Sequence, residues 1–362
     1  MGSSHKRLAL LGVSIAALLL AAGILGSSGS ASASGTAGRA TATQRTANST
    51  ADGSLPSTPL GAWQDVAPLP QTLFGPATAT DGTYVYAFGG YHFPENIGST
   101  LNTVYRYDPV ANAWTTLAAM PQRSLMASAV YYPPTNKIYV FGGATRTPDP
   151  IVTYDTTLIY DIATNTWSSG ATMPGVRSQM ASGYNSADGK IYLNGGYAVG
   201  VEVHATTWKY DPVANSFTVL APSPTTHGGP ASGIINGHLL VAGGRDFPDG
   251  LPLDLTWDYD IASNTWTQKQ NMPVPKNVPG GAVALGSLWA IGGGTCSPPP
   301  CNPFDGMNNV VSFDPVPNTW SDEPSLNHAR SFPGATAIGT TLYAVGGRLD
   351  PLTSLEIGRA HV

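Results

Sequence analysis

The sequence has little charge and almost no cysteine. Of 362 residues, 17 are Lys or Arg and 22 are Asp or Glu, a charged fraction of 11% and a net charge of −5. So sparse and slightly acidic a chain carries no electrostatic footprint for nucleic acid. Its two cysteines do not make a zinc site by themselves. No nucleophile motif or phosphate loop stands out, and no cofactor or metal is expected. Glycine and proline are abundant, at 42 and 31 residues, yet aromatic and β-branched residues are too plentiful for disorder. Thr, Tyr, Gly and Pro at low charge point to an all-β protein with many tight turns.

The N-terminus reads as an export signal. His5, Lys6 and Arg7 supply a positive n-region, LALLGVSIAALLLAAGIL (8–25) an apolar stretch, and SASAS (30–34) a small-residue cleavage site with the cut after Ala33. With no Cys nearby, no lipoprotein anchor is expected. The 18-residue apolar run reaches the lower edge of a membrane span, so an uncleaved anchor is the alternative. Residues 34–60, rich in Ser, Thr, Ala and Gly, read as a flexible linker. The expectation is a signal peptide at 1–33, bacterial export to the cell surface or medium, and no membrane span after cleavage.

From there the chain repeats itself. TYVYAFGG (83–90), KIYVFGG (137–143), KIYLNGG (190–196), HLLVAGG (238–244), SLWAIGG (287–293) and TLYAVGG (341–347) place the first glycine at 89, 142, 195, 243, 292 and 346, a period of 48–54 residues. A Trp or Phe follows each of the first five: Trp114, Trp167, Phe217, Trp266 and Trp320. It usually ends a turn-like stretch such as YDPVANAW, YDIATNTW or FDPVPNTW.

The diglycine, the Tyr-Asp and the spaced Trp together resemble the kelch repeat, over residues 63–356. That resemblance implies one four-stranded propeller blade per repeat, with strands a to d running outward from the axis. The glycines then turn the chain sharply at the end of strand b, where a Cβ would crowd a neighbour. The Trp anchors strand d against the adjacent blade. Six a-b-c sets are present, with an orphan d-strand, AWQDVAPLP (62–70, carrying Trp63), at the start and none at the end. The expected fold is therefore an all-β, six-bladed kelch β-propeller over 61–356, closed by an N-terminal outer strand that leaves no exposed sheet edge. The last six residues, IGRAHV (357–362), replace the expected Tyr-Asp turn and read as translated sequencing adapter, with the gene truncated near Glu356.

In such a fold the long b-to-c loops and the d-to-a links share one face, and length variation there marks where function sits. Aligning RSLMASAV, RSQMASGY, HGGPASGI, KNVPGGAV and RSFPGATA puts Arg123, Arg177, His227, Lys276 and Arg330 at one position near the mouth of the central channel, with Leu73 in blade one. Arg245 and Arg348 follow their diglycines nearby. Two readings follow. The group could hold an anion such as a sugar carboxylate or sulfate, or the arginines could tie neighbouring blades to backbone carbonyls. Tyr91, Phe93, Tyr197, Glu202, His204 and Phe247 on the same loops suit carbohydrate, as do His92, Glu95, Asp246, Asp249 and Phe304. Cys296 and Cys301, four residues apart in a Pro-rich exported loop, are read as a local disulfide.

The family's copper oxidases of the galactose oxidase kind need a Cys joined to a Tyr, and here both cysteines fall in one loop. Sialidase Asp boxes are absent too, since SNTW and TNTW lack the Asp and Gly. The first expectation is a non-catalytic binding module for glycan or protein. The rivals are a sugar isomerase like the sialic acid mutarotases, and an accessory propeller of a larger truncated surface enzyme.

Overall fold

A computed structural model describes residues 61–92, 98–146, 150–198, 202–246, 250–295 and 305–348, and the backbone of 357–361. The export segment and linker, the Cys296–Cys301 pair, Phe93, Glu95, Phe247, Asp249 and Phe304 lie outside the described residues. No helix among the described residues is long and apolar enough to cross a membrane.

Among the described residues, five antiparallel sheets are each built from four strands in chain order, with a two-stranded hairpin (Tyr91–His92 with Ser99–Thr100, and Tyr197–Ala198 with Glu202–Val203) between the second and third strands of the first and third. The first blade comprises Ala77–Thr80, Val85–Phe88, Val104–Asp108 and Ala113–Leu117; the second Ser128–Tyr132, Lys137–Phe141, Thr157–Asp161 and Thr166–Ser169. The third comprises Ala181–Asn185, Lys190–Asn194, Thr207–Asp211 and Ser216–Leu220; the fourth Ala231–Ile235, His238–Ala242, Thr256–Asp260 and Thr265–Gln268. The fifth comprises Gly280–Ala284, Ser287–Ile291, Val310–Asp314 and Thr319–Glu323. The chain is thus an all-β propeller. Second strands are covered on both faces by neighbouring blades, so VYAF and IYVF are buried throughout and do not alternate.

The Tyr-Asp-turn-Asn-Trp motif is the device that fastens each outer strand to the blade before it. In the first blade Asp108 Oδ1 accepts the Val110 and Ala111 N–H groups, closing the turn. Asn112 follows with φ +49°, which its short amide side chain tolerates. Its Oδ1 accepts the Tyr107 hydroxyl at 2.6 Å and the Ala67 N–H at 2.9 Å. The Trp114 indole then donates to the Ala67 carbonyl at 3.0 Å. The same set recurs at Tyr160, Asn165 and Trp167 on Ala118, and at Tyr259, Asn264 and Trp266 on Ala221. Phe217 of the third blade keeps the ring and gives up the indole bond.

At the seam the expectation of six like blades is corrected. The remaining four-stranded sheet is composite, in the order Trp63–Asp65, Ile357–His361, Thr341–Val345, Gly334–Ile338. Trp63 pairs with Ala360, and residues 349–356 lie outside the described residues. Its third strand is the segment that the sequence marks as adapter, so five blades stand on repeat sequence alone. Ladder hydrogen bonds are made by backbone, and any extended segment can supply them.

Candidate functional site

The face carrying the diglycines is built on one recurring arrangement. In each of the five blades the second glycine donates its N–H to the carbonyl of a residue entering the next sheet: Gly90 to Ser124, Gly143 to Arg177, Gly196 to His227, Gly244 to Lys276 and Gly293 to Arg330, all at 2.8–2.9 Å. Gly347 closes the series on Leu73 at 2.8 Å. The first glycine must be glycine on two counts at Gly142: φ is +61°, and a Cβ would sit 2.0 Å from the Arg177 carbonyl oxygen.

That pattern also fixes the register. Two residues before each inner strand the backbone turns left-handed, at Gly75, Met126, Gln179, Gly229, Val278 and Phe332. Met126 N–H bonds the Gly75 carbonyl, Gln179 that of Met126, Gly229 that of Gln179, and Gly75 that of Phe332, at 2.7–3.1 Å. These bonds form a backbone girdle at this end of the channel. The channel itself, about 400 Å³, is lined by small and hydroxyl-bearing residues of the inner strands, among them Thr78, Ser182, Ser232 and Thr336, and by Pro76, Pro230, Pro279 and Pro333.

The cations expected to ring the mouth sit instead inside the packing, two residues before the girdle. Lys276 is fully buried, and its Nζ donates to the Gly292 and Asn309 carbonyls at 2.9 and 2.8 Å. Burial pushes its ammonium down to about 7. Arg330, also buried, donates from its guanidinium to the Gly346 carbonyl at 3.0 Å, and burial lowers it to about 10. Arg177 donates to the Val176 carbonyl and the Thr206 hydroxyl, with its guanidinium 5.0 Å above the Trp208 ring. His227 is buried and lowered to about 4, again by desolvation. Arg123 departs from the set: it is exposed, and Ser124 holds its place, with Oγ donating to the Gly142 carbonyl at 3.2 Å.

The loop residues divide as well. Tyr91 is buried with Phe74, Leu125, Val278 and Phe332 in an apolar cluster beneath one half of the face, and the Arg146 guanidinium lies 5.2 Å from its ring. His92 Nδ1 meets the Thr72 hydroxyl at 3.0 Å. Glu202 pairs with Ala198 through backbone, and His204 N–H bonds the Gly196 carbonyl. Arg348 is buried and bridged to Ser331. On the other half, Arg245 stacks 5.1 Å from the Tyr197 ring and is 9% exposed. Gln179, Gly228 and Arg146 were not singled out by sequence. The other repeats carry Phe74, Leu125, Ser178, Asn277 and Ser331 at the position of Gly228.

Known proteins share this pattern. A family model described as the KLHDC2/KLHL20/DRC7 Kelch-repeats domain matches residues 75–276. Kelch-like protein terF of Aspergillus terreus is 27% identical over 195 residues, 51% of this chain and 41% of that protein. Kelch-like protein 38 of Homo sapiens is 27% identical over 249 residues, 69% of this chain and 40% of that protein. The chain thus spans about two fifths of the length of these curated relatives. The solved structure titled "Structure of YjhT" superposes with a TM-score of 0.67 at 17% identity, covering 81% of this chain and 95% of that one, which is a likeness of fold. With diglycine strands, Tyr-Asp turns and anchoring tryptophans in place, and a family model over more than half its length, the chain belongs to the kelch-repeat family.

Proposed function

We propose that this chain is an exported, non-catalytic binding module whose glycan or protein ligand docks on the diglycine face. The observation that carries this reading is a division of labour on that face. Arg177, His227, Lys276 and Arg330 are buried beside the diglycines, with Lys276 and Arg330 spent on backbone carbonyls. They are therefore poorly placed to move protons on a bound sugar. Around them the loops differ from blade to blade, and Ile151, Val152 and Leu251 are exposed on them.

Three further parts of the reading belong here. The composite sheet is proposed to complete a ring of six blades: its inner strand Gly334–Ile338 contacts both Gly280–Ala284 and Ala77–Thr80, and Trp63 donates to the Pro324 carbonyl at 2.9 Å as the other tryptophans do to theirs. Residues 357–362 are proposed to be adapter sequence standing where a natural third strand belongs. Cleavage after Ala33 is proposed to release the chain to the cell surface or medium.

The test is to apply the purified full chain to a glycan array and to intact bacterial cells, alongside an NMR assay of anomer exchange on acidic sugars. Saturable binding without accelerated exchange is expected. Accelerated exchange would favour a mutarotase-like isomerase, and no binding on either surface would remove the module reading.

A further inference from the structure

The central channel is a cavity with a floor. Its lining starts at prolines such as Pro76 and Pro230, each directly after a girdle residue, and runs to Thr80, Tyr131 and Pro133. None of the left-handed girdle residues lines it, and Gln179, Val278 and Phe332 are buried at that end. The cavity, about 400 Å³, therefore opens among the turns between first and second strands, on the face opposite the diglycines. Its volume lies within the range of small-molecule sites, about 300–1,000 Å³.

The wall carries no charge and many hydrogen-bonding groups. No Asp, Glu, Lys, Arg or His lines it. Each inner strand is the edge of its sheet, so half of its N–H and C=O groups have no ladder partner. Neighbouring hydroxyls cover some of these carbonyls: Thr78 Oγ1 donates to Ala335 at 2.9 Å and Ser128 Oγ to Met180 at 3.0 Å. Thr336 differs from them. It lines the cavity and is 8% exposed, and its hydroxyl has no hydrogen-bond partner among the described residues.

Two tyrosines stand near the open end. Tyr131 and Tyr184 hold the same register on adjacent inner strands, where other sheets carry Ile234, Val283 and Ala337. Both line the cavity and are part-exposed. The Tyr131 hydroxyl donates to Asn136 Oδ1 at 3.0 Å, and the Tyr184 ring packs edge-on to Tyr132, with centroids 5.4 Å apart. Both rings are thus fixed. An aromatic face carries partial negative charge and attracts the weakly positive C–H face of a pyranose.

We propose that the channel is a binding site for a neutral sugar, its ring against Tyr131 and Tyr184 and its hydroxyls on Thr336 and the free strand edges. Sugar hydroxyls both donate and accept, as those edges require, whereas an anion would lose its hydration with no cation to replace it. The site lies apart from the diglycine face and does not rest on the reading of that face.

Ligand-observed NMR titration of the full chain with methyl glucoside, methyl galactoside and methyl glucuronide tests it. A neutral glycoside should bind about tenfold or more tightly than glucuronide. Tyr184→Leu, which keeps an apolar contact for Tyr132, should weaken that glycoside about tenfold. Thr336→Val, which keeps the shape and removes the hydroxyl, should weaken it about threefold or more with the melting temperature near wild type. If Tyr184→Leu fails to fold, Tyr131→Leu takes its place beside Thr336→Val. No binding of either neutral glycoside, equal binding of glucuronide, or affinity unchanged in both variants would overturn the site. Glycan-array binding that persists alongside any of these results would leave the module reading standing.

Discussion

Ser124 and Arg177 occupy the same place in successive blades: each presents its backbone carbonyl to the N–H of a second glycine, Gly90 and Gly143, at 2.8 Å. Arg123 and Arg177 look equivalent in sequence because Arg-Ser and Met-Ala-Ser flank both. The left-handed residues Met126 and Gln179 show that the second blade is shifted by one. Arg123→Ala should therefore change stability by less than about 0.5 kcal/mol. Ser124→Ala, which frees the Gly142 carbonyl, should cost about 0.5–1.5 kcal/mol. Urea unfolding of the two variants checks the order, and a larger loss in Arg123→Ala would restore the sequence alignment.

The diglycines give a sharper contrast. Gly142→Ala would drive a Cβ into the Arg177 carbonyl, whereas a Cβ at Gly82, φ +88°, meets nothing within 4 Å. Gly82→Ala should cost about 1–2 kcal/mol of backbone strain, and Gly142→Ala more than twice that or a failure to fold. Comparable melting temperatures for the pair would contradict the close approach of blades at the diglycine.

Two buried bases predict opposite ends of a pH profile. An unfolded histidine titrates near 6.5, and His227 in the folded chain near 4. Between these values the unfolded state binds the extra proton, so stability should fall as pH drops from 6.5 toward 4. Lys276 titrates at about 7 folded against 10.5 unfolded, so stability should rise as pH climbs from 7 to 10.5. His227→Gln should flatten the acid limb and Lys276→Met the alkaline one. Chemical denaturation across pH reads both, and unchanged slopes in the variants would assign the pH dependence to other groups.

Trp63 is 5% exposed, donates to Pro324 O, and accepts from Asn327 Nδ2 at 3.1 Å through its carbonyl. If the composite sheet closes the ring, Trp63→Ala should cost about 3–5 kcal/mol, as a buried Trp elsewhere in the ring does. A melting temperature untouched by Trp63→Ala, or by deletion of residues 61–70, would leave the ring open at that point.

Repetition made much of this fold legible. The glycine pairs, the Tyr-Asp turn with its Asn, and the Trp each answer a backbone constraint that recurs in every blade, so the sequence writes them at matching places. The cations were legible as a set, but their direction was not. Arg123, one residue out of register, is exposed, while Arg330 turns back onto the Gly346 carbonyl. Spacing between repeats does not report a one-residue slip unless the left-handed residue is recognised, and Met126, Gln179, Val278 and Phe332 share no side-chain chemistry. Trp63 was legible as part of an outer strand, while the strand it pairs with carries no repeat signature.

The central claim is that Arg177, His227, Lys276 and Arg330, buried beside the diglycines, are structural and leave ligand contact to the surrounding loops. Arg177→Ala tests it most directly, with equilibrium unfolding and glycan-array binding on the same sample. The account predicts a loss of about 1–3 kcal/mol, from uncovered polar groups and the vacated Trp208 face, with glycan binding unchanged. Intact stability with abolished binding would contradict it and return the ligand to the ring of cations.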